Sequence, residues 1–156
     1  MRILIIEDNS DDAALLQRQL KKAQLNKHIK TLSDGGEALS YLIDERFATE
    51  DLAAIFLDLH LPKVTGLQLL ETIRSEERLL SVPVIVMTSS NSPEELERCR
   101  ELGVACFVSK PLTFSSFAKA FADTFHARRS RLCSENPRPP RPDNPARGKT
   151  VPLSNS

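Results

Sequence analysis

The chain has no tryptophan, a single tyrosine and only three cysteines, Cys99, Cys106 and Cys133. An odd count without paired CxxC spacing excludes a disulfide framework and a zinc knuckle, and points to free thiols in a reducing compartment. No apolar run reaches the roughly 18 residues of a membrane span. The N-terminus opens directly into Arg2-Ile3-Leu4-Ile5-Ile6 and then acidic residues, without the regions of a secretory signal. The expected location is therefore cytoplasmic, with no membrane partner. Excess charge of one sign is also missing, since 21 basic residues face 21 acidic ones. That balance hides an asymmetry: residues 127–156 carry seven Lys/Arg against Glu135 and Asp143, a surplus of +5, which leaves the remainder at −5. An acidic body argues against nucleic-acid binding by the folded part, and no DNA-binding domain is expected.

What is present alternates strand and helix. Residues 2–6 form an apolar run that stops at Glu7-Asp8-Asn9-Ser10-Asp11-Asp12, after which Ala13, Leu16, Leu20 and Ala23 recur at helical spacing. A short Ile29–Ser33 strand leads through Ser33-Asp34-Gly35-Gly36, a turn and N-cap signal, to a second helical face at Ala38, Leu39, Leu42 and Ile43. The run Ala54-Ile55-Phe56-Leu57-Asp58, closed by Pro62, reads as a strand buried on both faces. Thr65-Gly66-Leu67-Gln68 has the capping-box pattern and opens a third helix with Leu69, Leu70 and Ile73 buried. Pro83–Met87 is the fourth strand. Ser92-Pro93-Glu94-Glu95 starts a fourth helix that closes at Gly103. Val104–Val108 is the fifth strand, and Phe114, Phe117, Phe121 and Phe125 mark the last helix as a core-facing stripe.

Five strands with short helical crossovers imply an α/β, flavodoxin-like doubly wound domain: a five-stranded parallel sheet, order 2-1-3-4-5, with helices on both faces. Periodicity ends near Ala127. Residues 127–156 hold six of the ten prolines and little apolar surface, so the expected organisation is a domain at 1–126 and a disordered basic tail at 127–156.

In such sheets the reactive groups gather beyond the carboxyl ends of the strands. Here those ends bring together Glu7 and Asp8, Asp58, Thr88 and Lys110. Carboxylates so placed repel one another and call for a hard divalent cation; Mg²⁺ takes oxygen ligands and bridges carboxylate to phosphate. A phosphoryl group on Asp58 would meet that cation, the Lys110 ammonium and the Thr88 hydroxyl.

Glu7-Asp8 after strand one, Asp58 in Leu57-Asp58-Leu59-His60-Leu61-Pro62 with Gly66 following, Thr88 after strand four and Lys110-Pro111 after strand five resemble the receiver domain of bacterial two-component response regulators. The resemblance covers residues 1–126. It implies a single-domain response regulator, a signalling module rather than an enzyme in the ordinary sense, that accepts a phosphoryl group on Asp58 from a sensor histidine kinase. It further implies Mg²⁺ held by Glu7, Asp8, Asp58 and the His60 backbone carbonyl, a switch pair at Thr88 and Phe107, phosphoryl contact by Lys110, and a cis peptide before Pro111. Position 107 is Phe where Tyr is common, and Ser89 stands where a small alanine is frequent. Residues 56–111 are similar to regulators paired with phytochrome-type kinases. With no attached effector, output by association is expected, for example a homodimer through the fourth helix, fifth strand and fifth helix.

Two other classes fit less well. An aspartate-nucleophile phosphatase of the haloacid dehalogenase type needs a second carboxylate two residues after the nucleophile, where this chain has His60. A flavin carrier needs a Ser/Thr/Gly-rich loop after strand one, where this chain has Glu7-Asp8. The side chains of His60, His28 and His126 are expected at the surface, and Cys106 is expected in the core.

Overall fold

A computed structural model of the chain describes residues 2–25, 28–89, 91–113, 115–120 and 122. Its strands are β1 (Arg2–Ile6), β2 (Ile29–Leu32), β3 (Leu52–Asp58), β4 (Val84–Thr88) and β5 (Cys106–Ser109). All pair in parallel, in the order β2-β1-β3-β4-β5, as the sequence pattern predicts. The helices are α1 (Ser10–Lys22), α2 (Gly35–Ile43), α3 (Gly66–Ser75) and α4 (Pro93–Glu101). Residues 115–120, helical after β5, are called α5 below.

Every residue of β3 is buried, because the strand lies mid-sheet with helices on both sides. Alternate side chains serve opposite cores. Leu4, Ile6, Ile55, Leu57, Val84 and Val86 pack with Leu42 of α2, Leu69 and Ile73 of α3, and Cys99 of α4. Ile3, Ile5, Phe56, Ile85 and Met87 pack with Leu16 and Leu20 of α1 and with Phe117 of α5. The Phe56 and Phe117 rings stack with centroids 6.1 Å apart. Truncating such a buried ring to Ala typically costs about 3–5 kcal/mol, so Phe56 is a principal tie between the sheet and α5.

The helix starts follow from their caps. Asn9 accepts from the N–H groups of Asp11 and Asp12, Asp34 from that of Glu37, and Ser92 from that of Glu95, with Pro93 in the first turn. Thr65 and Gln68 form the reciprocal capping box. No helix among the described residues is long and apolar enough to cross a membrane.

Four expectations need correction. β5 begins at Cys106 and not at Val104, because Gly103 adopts a left-handed φ of 73° and the Val104 N–H is spent on the Cys99 carbonyl, closing α4. Ala23 is exposed at the C-cap of α1 and contributes nothing to the stripe. Cys106 is half-buried, since β5 is an edge strand; its Sγ lies 3.6 Å from the Ala120 carbonyl. Ile43, expected on one helical face with Ala38 and Leu42, is 50% exposed at the end of α2. Ser90, Phe114, Phe121, Phe125, His126, Cys133 and the segment 127–156 lie outside the described residues.

Two arginines hold helix ends that the caps leave open. Arg78 donates through Nη1 to the carbonyls of Asp44 and Phe47, 3.1 Å each, and through Nη2 to that of Leu42, 2.6 Å. Arg74 donates through Nε to the Leu102 carbonyl, 2.8 Å, at the end of α4. The planar, five-donor guanidinium suits several carbonyls at once. Arg78→Ala is expected to lower stability to urea by about 2–3 kcal/mol, and Arg78→Lys to restore only part of it. A loss below about 1 kcal/mol would show that water replaces the guanidinium without penalty.

Candidate functional site

Strand register positions the chemistry. Ile6 of β1 pairs with Leu57 of β3, so Glu7, one residue further, stands beside Asp58. Asp58 pairs with Met87, which puts Thr88 one residue beyond it on β4. Thr88 pairs with Ser109, and the Lys110 N–H donates to the Thr88 carbonyl at 3.0 Å. The loop after β3 folds back tightly, with the Gly66 N–H donating to the Leu59 carbonyl at 2.9 Å. A Cβ on Gly66 would collide with the Asp58 carbonyl and the Leu59 Cα, so only glycine lets α3 start this close to the end of β3.

Side chains then converge on one point. Asp58 Oδ1 accepts from the His60 N–H at 3.1 Å, and Oδ2 faces the Lys110 ammonium at 3.3 Å. The same ammonium meets Glu7 Oε2 at 2.7 Å and Asp12 Oδ2 at 3.1 Å. Glu7 and Asp58 are 2% and 4% exposed, whereas Asp8 opens to solvent. Glu7, Asp8 and Asp58 each offer an oxygen, all within 4.8 Å of one another. Three hard oxygen donors, two buried and one at the mouth, suit Mg²⁺ or Ca²⁺ far better than a soft metal.

Of the other expected residues, Thr88 is buried at the end of β4. Phe107 pairs with Val86 and is half-buried against the core, with the Arg100 guanidinium 5.6 Å from its ring centroid. The His60 side chain is exposed, 3.9 Å from the Glu95 carboxylate, and His28 is exposed too. The Lys110–Pro111 peptide is cis. Sequence reasoning missed Asp12. Its signal was the spacing of Asp12, Leu16, Gln19 and Leu20, the inward stripe of α1 extended one turn toward the strand ends.

Burial pushes the Glu7 carboxyl up to about 7, with Asp58 adding to the push and the Lys110 ammonium and the Asn9 N–H opposing it. For Lys110, burial favours the neutral amine, but its hydrogen bond to Glu7 and the charges of Asp58 and Glu7 outweigh this and hold the group well above its ordinary value. Lys110 is thus a fixed cation, and burial makes the Glu7 carboxylate costly to keep charged.

A five-stranded parallel sheet with this acidic cluster and one lysine at its carboxyl edge defines the receiver class. The response regulator receiver domain family matches residues 3–122, and the chain belongs to it. It is therefore a receiver domain of two-component response regulators. Among curated relatives it is 36% identical over 118 residues to the probable methanogenesis regulatory protein FilR2 of Methanothrix harundinacea, covering 75% of this chain and 76% of that one. The solved bacteriophytochrome response regulator AtBRR is 41% identical with a TM-score of 0.66, covering 80% of this chain and 91% of its own. A second, RtBRR, is 34% identical with a TM-score of 0.68, covering 86% and 93%.

The raised Glu7 value sets a pH dependence. From the ordinary 4.5 up to about 7, the folded protein holds a proton that the unfolded chain has released. The resulting stability is complete at the acid end and is lost as pH rises through about 7. In metal-free buffer, stability to urea is expected to fall between about pH 5 and pH 8, and Glu7→Gln, which mimics the protonated form, to flatten that segment. A wild-type curve that rises over this interval, or a Glu7→Gln curve parallel to it, would contradict the assignment.

Proposed function

We propose that the chain is a response regulator that accepts a phosphoryl group on Asp58 from a sensor histidine kinase, with Mg²⁺ at Glu7, Asp8, Asp58 and the His60 backbone carbonyl. The observation that carries this is the Asp58 carboxylate itself: one oxygen is held by the His60 N–H and the other faces the Lys110 ammonium, inside a cluster of three carboxylates. Bound Mg²⁺ supplies charge neutralisation for the phosphoryl oxygens. Asp58 Oδ2 forms the new bond to phosphorus while the donor's P–N bond, or P–O bond in acetyl phosphate, breaks and the donor departs with the electron pair. No separate base is needed, because the attacking group is a carboxylate. Lys110 then donates to a phosphoryl oxygen. Thr88 follows as the switch hydroxyl, and Phe107 turns inward behind it, exchanging the Arg100 guanidinium for the space Thr88 leaves.

The likeness to two bacteriophytochrome response regulators supports a phytochrome-type kinase as donor. Residues 1–126 act as the receiver, and the basic segment 127–156 is dispensable for phosphorylation. Output proceeds in the cytoplasm by association of the face formed by α4, β5 and α5, as a symmetric homodimer.

With Mg²⁺ and acetyl phosphate the protein is expected to gain one acid-stable, base-labile acyl phosphate. Asp58→Asn and a metal chelator should each abolish it, while removal of residues 127–156 should not. Undiminished labelling of Asp58→Asn, or labelling indifferent to the chelator, would sink the assignment. Sedimentation of the same protein with beryllofluoride, a phosphoryl mimic, should shift toward the dimer mass; an unchanged mass would leave association through this face unsupported.

A further inference from the structure

Lys110 is more heavily surrounded by carboxylates than contact with one phosphoryl group requires. Its ammonium carries three hydrogens, and three carboxylates meet it: Glu7 at 2.7 Å, Asp12 at 3.1 Å and Asp58 at 3.3 Å. Asp12 differs from the other two. It stands outside the group Glu7, Asp8 and Asp58 whose oxygens lie within 4.8 Å of one another, and it sits on a helix and not at a strand end. The first turn of α1 that carries it is fixed at both sides: Asn9 Oδ1 accepts from the N–H groups of Asp11 and Asp12, and the Asn9 N–H donates to Glu7 Oε1. Side-chain exposure is 27% for Asp12 and 14% for Lys110, so solvent screens this pair less than a surface ion pair.

Resting on the phosphoacceptor reading above, we infer that Asp12 is a positioning residue that anchors the Lys110 ammonium beside Asp58 when Glu7 is committed to a cation. The reason is electrostatic. A divalent cation among Glu7, Asp8 and Asp58 draws off the charge that Glu7 lends to Lys110, and it repels the ammonium directly. Both effects push Lys110 away from the site just when a phosphoryl oxygen needs its hydrogen bond. Asp12 is outside the cation's carboxylates and within hydrogen-bond reach of Nζ, so its charge stays on the lysine. Like-charge repulsion alone makes the opposite forecast for a neutral Asp12, because deleting an anion near the site should help an anionic ligand to bind. The two accounts differ in sign.

Beryllofluoride titrated in the presence of saturating Mg²⁺ and followed by fluorine NMR reads that sign. Asp12→Asn should weaken its binding by about tenfold, the scale of one charge-assisted hydrogen bond, and Asp12→Glu should recover most of the loss. Asp11→Asn removes a charge from the same helix turn at an exposed position and should stay within about twofold of wild type. Mg²⁺ affinity without beryllofluoride, measured by calorimetry, should shift by less than about threefold in Asp12→Asn, because Asp12 is not among the cation's carboxylates. Asp12→Ser, which keeps a residue suited to a helix start, serves if Asp12→Asn does not fold. Beryllofluoride binding to Asp12→Asn that equals or exceeds wild type overturns the inference. So does an equal loss in Asp11→Asn, which would assign the effect to the helix dipole. Wild type that binds Mg²⁺ but no beryllofluoride overturns the phosphoacceptor reading and this inference with it, whereas tight wild-type binding with Asp12→Asn unchanged overturns this inference alone.

Discussion

One half-buried ammonium, that of Lys110, holds the carboxyl edge of this domain together. Glu7 and Asp58 are almost fully buried and adjacent, an arrangement that like-charge repulsion opposes by about 4 kcal/mol for unit charges 4 Å apart at an effective dielectric of 20. Lys110 touches both, and Asp12 as well. Four acidic groups, counting Asp8, face a single lysine, so the pocket remains anionic and receptive to a cation. The Glu7 carboxyl is raised chiefly by its burial, and the neighbouring Asp58 adds to the push.

The fold exists to make this collision of charges reproducible. Parallel pairing sends the carboxyl ends of β1, β3, β4 and β5 to one edge, and the order β2-β1-β3-β4-β5 makes the acid-bearing strands neighbours. Two continuous cores, one on each face, lock the register; a slip of one residue would exchange Leu57 for Asp58 across the sheet. Backbone hydrogen bonds finish the positioning, with Lys110 tied to the Thr88 carbonyl and the loop after β3 closed by Gly66. The Asp58 carboxylate is thereby pinned on one oxygen by His60 N–H, while the other faces the lysine.

Much of this was legible in the chain itself. The apolar run ending at Asp58, the Thr65–Gln68 capping box and the Ser92-Pro93 helix start are local signals, and the structure realises each where expected. The joint placement of Glu7, Asp8, Asp58 and Lys110 was readable because each follows an apolar run, and strand ends converge in this topology. What escaped was non-local or depended on a single turn. Val104 has strand propensity, but the left-handed Gly103 commits its N–H to capping α4. Cys106 sits in an apolar context, yet the edge position of β5 leaves it half open. Arg74 and Arg78 carry no local sequence signal, and only the packed structure shows their guanidinium groups collecting carbonyls from distant helix ends. Asp12 was hidden among neighbouring acids whose ordinary role is to favour a helix N-terminus.

Everything proposed for this edge requires Glu7, Asp8 and Asp58 to form one cation site under mutual repulsion. Thermal unfolding of wild type and Asp8→Ala, each with and without Mg²⁺, tests this most directly. The account predicts that metal-free Asp8→Ala is at least as stable as wild type, because a repelling charge has been removed, and that Mg²⁺ raises the Tm of wild type far more than that of the variant. An Asp8→Ala protein that is less stable without metal, and that gains as much from Mg²⁺ as wild type does, would contradict it.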